Sequence, residues 1–453
     1  MKRKFKLRFS TTQIIILSFL LAILIGSALL ALPISSKSGQ AVPYLDALFT
    51  ATSATCVTGL VTVATVSTWS LFGQIVILIL IQIGGLGVIT IVAGIMLAFN
   101  KKLRLKDNRL LGDAFNIDSL SGLKHFIKKV LIGTFIIEGV GALLYMTVFV
   151  PDFGLEGVWI SIFNSVSAFC NAGIDIVSET SLYNYVGNPL INGVTCALIV
   201  LGGLGYIVWW DLIRVLKNVR KTKWGTLKRL TLHSKIVLTA TTVLVFGGAI
   251  LIFVFEYNNP GTLQNLSLFD KIQASIFQSV TTRTAGFATL PQENLTNATS
   301  FVCLLLMFIG GSPVGTAGGI KTVTFVILIA TTLSIVRNRP EVSLFNRDLN
   351  RQITRKAVAV TLTSFVIVFL STLFLTIVSN ADFMTVLYET VSATATVGLS
   401  KNFTPLLNLW GKLIIIFTMY FGRIGPISLA IAFNTKKEKT NNIKNPTEDV
   451  SVG

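Results

Sequence analysis

"TATSATCVTGLVTV", residues 50–63, decides how this chain is read. It sets Thr, Ser and a single Gly between two long apolar runs, and it is too short and too polar to span a bilayer. The chain around it is greasy: of 453 residues, 52% are hydrophobic and only 13% charged, against roughly 25% charged in an average soluble domain. Eight apolar runs lie at about 13–32, 73–98, 128–151, 190–213, 234–256, 299–336, 354–378 and 408–433. Each approaches or exceeds the ~20 residues that a helix needs to cross a hydrocarbon core. This pattern excludes a soluble fold and predicts a polytopic helical membrane protein. The opening "MKRKFKLR" resembles the basic region of a signal peptide, but the apolar run behind it is long, so it is expected to stay as the first span.

The formal charge of +18 is a topology signal. Of 38 Lys and Arg, 31 fall in five segments: the N-terminus, 100–129, 214–235, 337–356 and the tail after 434. The intervening connections carry only Lys37, Lys271, Arg283 and Lys401. Alternation of this kind is the positive-inside rule over eight spans and puts both termini in the cytoplasm. It points to lipid headgroups as the partner of the basic excess and away from nucleic acid. The four cysteines (Cys56, Cys170, Cys196, Cys303) sit in or beside apolar runs without CxxC spacing, as small packing residues.

The opening stretch occurs four times. "FTATSATCVTGL" (49–60) is echoed by "FNSVSAFCNAGI" (163–174), "FQSVTTRTAGF" (277–287) and "YETVSATATVGL" (388–399). Each has an aromatic, a short Ser/Thr-rich helical segment and a glycine: Gly59, Gly173, Gly286 and Gly398, separated by 114, 113 and 112 residues. A second marker keeps step: 24 to 29 residues after each glycine comes a glycine break, "GGLG" (84–87), "GGLG" (202–205), "GGSPVG" (310–315) and "GRIG" (422–425). The units are read as residues 1–100, 101–222, 223–340 and 341–434, with a tail at 435–453. Each unit is span, short re-entrant helix, loop, span. Two spans per unit return the chain to the same side, so the repeats are parallel and related by an axis along the membrane normal. The expected fold is therefore all-α, with four parallel membrane–pore–membrane repeats around a pseudo-fourfold central pore.

Irregular backbone at membrane depth is tolerated only in protein or along an aqueous path. Loops of the "TCVTG" kind meet that condition if their carbonyls replace the hydration shell of a cation. Glycine permits the backbone angles this requires. The short helix ahead of each loop aims its partially negative end the same way, and Asp46, Asp270 and Asp382 sit near the starts of three of these helices. On this reading the stretch is a quarter of an ion-selectivity filter.

Four such units, with one glycine per loop, "TRTAGF" in the third and "GRIGP" in the fourth, resemble the Trk/Ktr/HKT superfamily of potassium transporters, most closely the bacterial Ktr membrane subunit. The resemblance covers about residues 10–433. It implies a K+ filter built from Thr55, Cys56, Val57, Thr58 and Gly59; Asn171, Ala172 and Gly173; Thr284, Ala285 and Gly286; and Thr396, Val397 and Gly398. Ser at the first glycine goes with sodium preference in plant relatives, so Gly59 favours potassium. It also implies an intramembrane loop, "GGSPVGTAGGIKT" (310–322), that hinders permeation below the filter. Its gating residues would be Gly310, Gly311, Ser312, Gly315, Thr316, Gly318, Gly319 and Lys321, with Arg423 projecting toward the pore. It implies K+ as the transported ion with no organic cofactor, a homodimer in a bacterial cell membrane, and a cytoplasmic nucleotide-binding ring of the regulator-of-conductance type.

Several residues keep two readings. The "GGLG" runs serve close helix packing or a break. Arg423 pairs with Glu138 or backbone carbonyls, or stands as an electrostatic barrier below the filter. Glu138, the sole acidic residue in mid-span, is polar packing or a functional partner. Arg283 cannot face cations unpaired; it is expected to turn away and brace the filter through loop carbonyls or through Asp175 or Glu389. His125 and His233 read as solvated surface. An ion-coupled carrier, specifically a Na+-coupled symporter, is the alternative function. No catalytic triad, metal cluster or nucleotide fingerprint suggests an enzyme.

Overall fold

The structure, a computed structural model, describes residues 11–87, 90, 123–217, 229–339 and 341–425. The basic N-terminus, most of the basic segment 100–129, half of the basic segment 214–235, the ends of the second and eighth apolar runs, and the tail at 435–453 lie outside the described residues. Among the described residues, four helices are long and apolar enough to cross a membrane: α1 (Thr11–Leu30), α4 (Leu123–Phe153), α8 (Leu232–Glu256) and α12 (Arg351–Val378). Their outward faces stay apolar where no protein covers them, as with Val243, Phe246, Ile250 and Val254 on α8. Contact with lipid tails explains that pattern.

Each long helix is followed by a short one: α2 (Tyr44–Cys56), α5 (Glu156–Cys170), α9 (Leu268–Thr281) and α13 (Phe383–Ala395). The starts of these helices are chemically marked. Ser267 caps α9 by accepting from the Asp270 N–H, and Asp382 caps α13 by accepting from the Met384 N–H. Asp46, Asp270 and Glu156 lie in first turns, where a carboxylate suits the positive end of the dipole. Glu156 supplies the fourth acidic start, which the sequence reading did not pick out.

The second helix of each group is shorter than its apolar run. It is α3 (Leu71–Leu86), α6 (Pro189–Leu204), α10 (Asn297–Phe308) or α14 (Leu409–Ile424). Three stop at a glycine with positive φ: Gly87 (83°), Gly205 (85°) and Gly425 (88°). Hydropathy runs smoothly through these positions, but a backbone angle open chiefly to glycine does not continue a helix. After Gly205 the chain resumes as α7 (Tyr206–Leu216), bent 99° from α6. The run at 299–336 is likewise divided. α10 ends at Phe308, before Pro313, and the chain becomes helical again as α11 (Thr322–Val336).

Packing joins these groups into a closed circuit. Each short helix lies on its own long helix, α2 on α1, α5 on α4, α9 on α8 and α13 on α12. Each second helix then packs on the short helix of the next group: α3 on α5, α6 on α9, α10 on α13, and α14 back on α2. At the last junction Lys412 Nζ donates to Asp46 Oδ1 at 2.5 Å.

The glycine breaks also make the tightest contacts between layers. A Cβ on Gly84, Gly202 or Gly422 would collide with the carbonyl oxygen of Thr55, Phe169 or Thr394 respectively. Those three carbonyls lie four residues before Gly59, Gly173 and Gly398. The "GGLG" runs therefore do both things the sequence allowed, breaking the helix and packing it closely. His125 is exposed, whereas His233 is half-buried and is not the solvated residue expected.

Gly422→Ala is expected to lower stability by about 1–3 kcal/mol through overpacking. Gly247→Ala, on an exposed face of α8 with nothing near its Cβ, is expected to be neutral or mildly stabilising. Melting temperatures of the two variants in detergent check this, and an equal fall in both would remove the contact argument.

Candidate functional site

Three short helices end directly on a left-handed residue, whereas α9 ends with Thr282 in the right-handed region and reaches its left-handed residue two positions later. Val57 (φ 57°), Asn171 (60°), Thr284 (65°) and Thr396 (53°) are non-glycine residues in the left-handed region, each two positions before a loop glycine. Gly59, Gly173, Gly286 and Gly398 then take φ of 99°, 64°, 85° and 96°. Left-handed caps of this kind close α2, α5 and α13. The four glycines meet. A Cβ on Gly59 would lie 2.7 Å from the Ala172 oxygen, 3.1 Å from Gly398 Cα and 3.3 Å from Gly173 Cα. A Cβ on Gly286 would lie 3.1 Å from Gly173 Cα and 3.2 Å from Gly398 Cα. Conformation and space therefore both demand glycine at this point.

The Ser/Thr content of the short helices has a specific use. Ser53 Oγ accepts from the Gly59 N–H and Ser392 Oγ from the Gly398 N–H, both at 3.0 Å. Ser167 Oγ donates to the Ile174 carbonyl at 2.5 Å, and Thr281 Oγ1 to the Phe287 carbonyl at 2.6 Å. One hydroxyl in every unit thus holds its own loop, rather than gluing neighbouring spans. The third loop is one residue shorter between aromatic and glycine, and Thr281 stands five positions before Gly286 where the others stand six before theirs. This recurring hydroxyl was visible in the four aligned segments and is the signal that the sequence reading did not use.

The remaining expected loop residues are brought together and buried: Thr55, Cys56, Thr58, Ala172, Ala285 and Val397. The hydroxyls of Thr55, Thr58 and Thr396 have no hydrogen-bond partner among the described residues. On one side, all four glycines line a cavity of about 240 Å³, with Asp175, Glu179 and Glu293 among its walls.

On the other side lies the segment 310–322, which is held firmly rather than loosely. Ser312 N–H and Thr316 N–H donate to the carbonyls of Gly203 (2.8 Å) and Gly202 (3.1 Å), and Tyr206 N–H donates to the Val314 carbonyl (3.0 Å). These bonds dock the segment into the α6–α7 bend. Ser312 and Thr322 hydroxyls meet at 3.0 Å across its base. Gly310 and Gly319 lie so close that a Cβ on either would crowd the other's backbone, at 3.0 Å. Gly311 and Gly315 are packed against Gly203 and Gly205.

Three cations bind this segment through carbonyl oxygens. Arg423 Nη1 donates to Thr316 O at 2.6 Å and its Nη2 to Gly84 O at 2.5 Å. Lys321 Nζ donates to Ala317 O at 2.6 Å. Arg283 Nη2 donates to Gly310 O at 3.3 Å. None forms an ion pair with a carboxylate among the described residues. Arg283 therefore does not pair with Asp175 or Glu389. Asp175 Oδ1 accepts from the Val177 N–H, while Glu389 accepts from Ser400 and Thr404. Both carboxylates are turned into their own loops, leaving a carbonyl of the 310–322 segment as the arginine's partner. Glu138 does not meet Arg423 either. It accepts from Gln82 Nε2 at 3.2 and 3.3 Å, beside Cys170.

Four convergent backbone loops at the negative ends of four helices, with an acidic cavity on one side and carbonyl-bound cations on the other, suit a cation. Comparison with known proteins agrees. A family profile, "TrkH: Cation transport protein", matches residues 2–445. This chain belongs to the TrkH family. It is 40% identical to the Ktr system potassium uptake protein B of Bacillus subtilis, over 98% of this chain and 97% of that protein. It is 36% identical to the potassium/sodium uptake protein NtpJ of Enterococcus hirae, over 100% and 99% of the two. The fold is similar to the crystal structure of the potassium transporter TrkH from Vibrio parahaemolyticus, with a TM-score of 0.73 and 16% identity over 96% of this chain and 87% of that one. The expected TrkH-type membership and helical membrane fold are thereby established.

Ser53→Ala leaves the buried Gly59 N–H without its acceptor, which costs about 1–3 kcal/mol. Ser53→Thr keeps the hydroxyl and is expected to recover most of the loss. Melting temperatures of the two variants check this, and indifference to the hydroxyl would remove it as the holder of the loop.

Proposed function

We propose that this TrkH-family chain is the potassium-translocating subunit of a bacterial cell-membrane uptake system, working as a channel-like path. The observation that carries the reading is the meeting of Gly59, Gly173, Gly286 and Gly398 at the ends of four short helices. The four units, bounded as the sequence suggests, surround one pseudo-fourfold axis. The carbonyls of residues 55–59, 171–173, 284–286 and 396–398 replace the hydration shell of K+. Asp175, Glu179 and Glu293 concentrate cations at the mouth.

The 310–322 segment, with Arg423 and Lys321, closes the path below the filter. Carbonyl-bound cations there oppose the next cation, and the segment must move for conduction. Docking of a cytoplasmic nucleotide-binding regulator-of-conductance ring on the basic segments 214–235 and 337–356 supplies that signal. The relatives named as proteins of a Ktr system support a separate component of this kind. The subunit acts as a homodimer with both termini cytoplasmic, no organic cofactor and no catalytic residues.

A second reading, Na+-coupled potassium symport, draws support from the similarity to a potassium/sodium uptake protein. Cation flux into liposomes separates the two. Wild-type flux is expected to prefer K+ over Na+ and to need no Na+ gradient. Gly59→Ser, which places a side chain where φ is 99° and the Ala172 oxygen is already close, is expected to lower the K+/Na+ preference at least several-fold. Flux that requires a second driving ion would favour symport, and flux indifferent to Gly59 would remove the filter assignment.

A further inference from the structure

The side chains beneath the four glycines do not merely fill space. Those of the left-handed residues in the second, third and fourth loops all meet one segment. The Thr316 hydroxyl donates, its one proton shared between Asn171 Oδ1 at 2.9 Å and the Phe169 carbonyl at 3.1 Å. The Gly318 N–H donates to Thr284 Oγ1 at 3.1 Å. Gly318 also faces the fourth loop, where a Cβ would collide with Thr396 Oγ1 and lie 2.8 Å from the Ala395 oxygen. Next to Thr284, Arg283 holds Gly310 at the other end of the segment. The first loop takes no part, because its left-handed residue is Val57, packed near Gly84.

We propose that Asn171, Arg283 and Thr284 form a latch through which the filter loops themselves hold the 310–322 segment shut. This deepens the reading of that segment as a gate and rests on it. The three are positioning residues, since their side chains grip the gate rather than the ion. Left-handed backbone is what makes the arrangement work. It lets the loop aim its carbonyls at the path while the same residue's side chain reaches the gate. A filter that loses its left-handed turns must therefore release Thr316 and Gly318, and a gate that leaves must unload two filter side chains. Filter state and gate state are thereby coupled over a single residue, with no relay through the spans.

The test is K+ and Na+ flux into liposomes holding the purified full chain without a cytoplasmic partner. Thr284→Val removes the hydroxyl at constant shape. Asn171→Gly removes the amide while keeping a residue that tolerates left-handed backbone. One hydrogen bond of ordinary strength shifts a two-state equilibrium about fivefold, so each variant is expected to raise partner-independent K+ flux by about that factor with its K+/Na+ preference intact. Thr284→Ser, which restores the hydroxyl that accepts from Gly318 N–H, is expected to bring flux below that of Thr284→Val. Unchanged basal flux in both variants, or lost ion preference without raised flux, overturns the latch. If Thr284→Val does not fold, Asn171→Gly and Arg283→Gln carry the same test. A chain shortened within residues 314–318 separates the two levels. Raised flux there with no response from the latch variants sinks the latch alone, whereas no rise there sinks the gate itself.

Discussion

Four backbones meet where no side chain fits, and the rest of the structure is arranged to permit it. The loop glycines approach so closely that a single Cβ at Gly59 would press on the Ala172 oxygen and on two other glycines. Backbone this crowded and this irregular cannot stand in lipid, so each loop must come from a short helix shielded by a long one. Each short helix is followed, at once or within its loop, by a left-handed non-glycine residue that costs conformational energy. Hydroxyls from Ser53, Ser167, Thr281 and Ser392 hold the strained turns in place. The glycine breaks of the second helices follow from the same constraint. Only a residue without Cβ brings those helix ends against Thr55, Phe169 and Thr394.

Much of this was legible in the sequence, because the requirements are written in side-chain identity. A position that needs no Cβ is spelled Gly, and its fourfold return at near-constant spacing exposed the units and their convergence. The long helices were equally plain, since a face bare to lipid stays apolar. What escaped reading depends on backbone atoms, which every residue has. Nothing in the letters "TRTAGF" says that Arg283 reaches the Gly310 carbonyl rather than Asp175 or Glu389. Nothing in "GRIGP" distinguishes Arg423 on two carbonyls from Arg423 on Glu138. The helix breaks were marked by glycine, yet apolar composition on both sides argued for continuous spans.

The three carbonyl-bound cations, Arg283 buried and Arg423 and Lys321 half-buried, illustrate the cost of charge away from bulk water. Isolated in a membrane interior, each guanidinium or ammonium would be strongly disfavoured. Carbonyl dipoles of the 310–322 segment and of Gly84 meet that need without a carboxylate. Such solvation leaves the net positive charge in place, whereas a salt bridge would cancel it. The segment is thus both anchored by its cations and charged by them.

The junction of α14 with α2 bears on how the molecule is made. Asp46 and Lys412 meet across 366 residues, and Tyr420 donates to the Ile16 carbonyl across 404. During synthesis the first three groups emerge and insert before the last exists. The polar helix α2 then waits with one flank uncovered, and the first and third loops lack the fourth as a neighbour. Contacts of such sequence separation form slowly, and exposed partial structures are the ones that misassemble. Closure of the circuit by the final helix is therefore a late step in biogenesis, and a chain truncated before Leu409 would be an open arc in which the four glycines have no reason to meet.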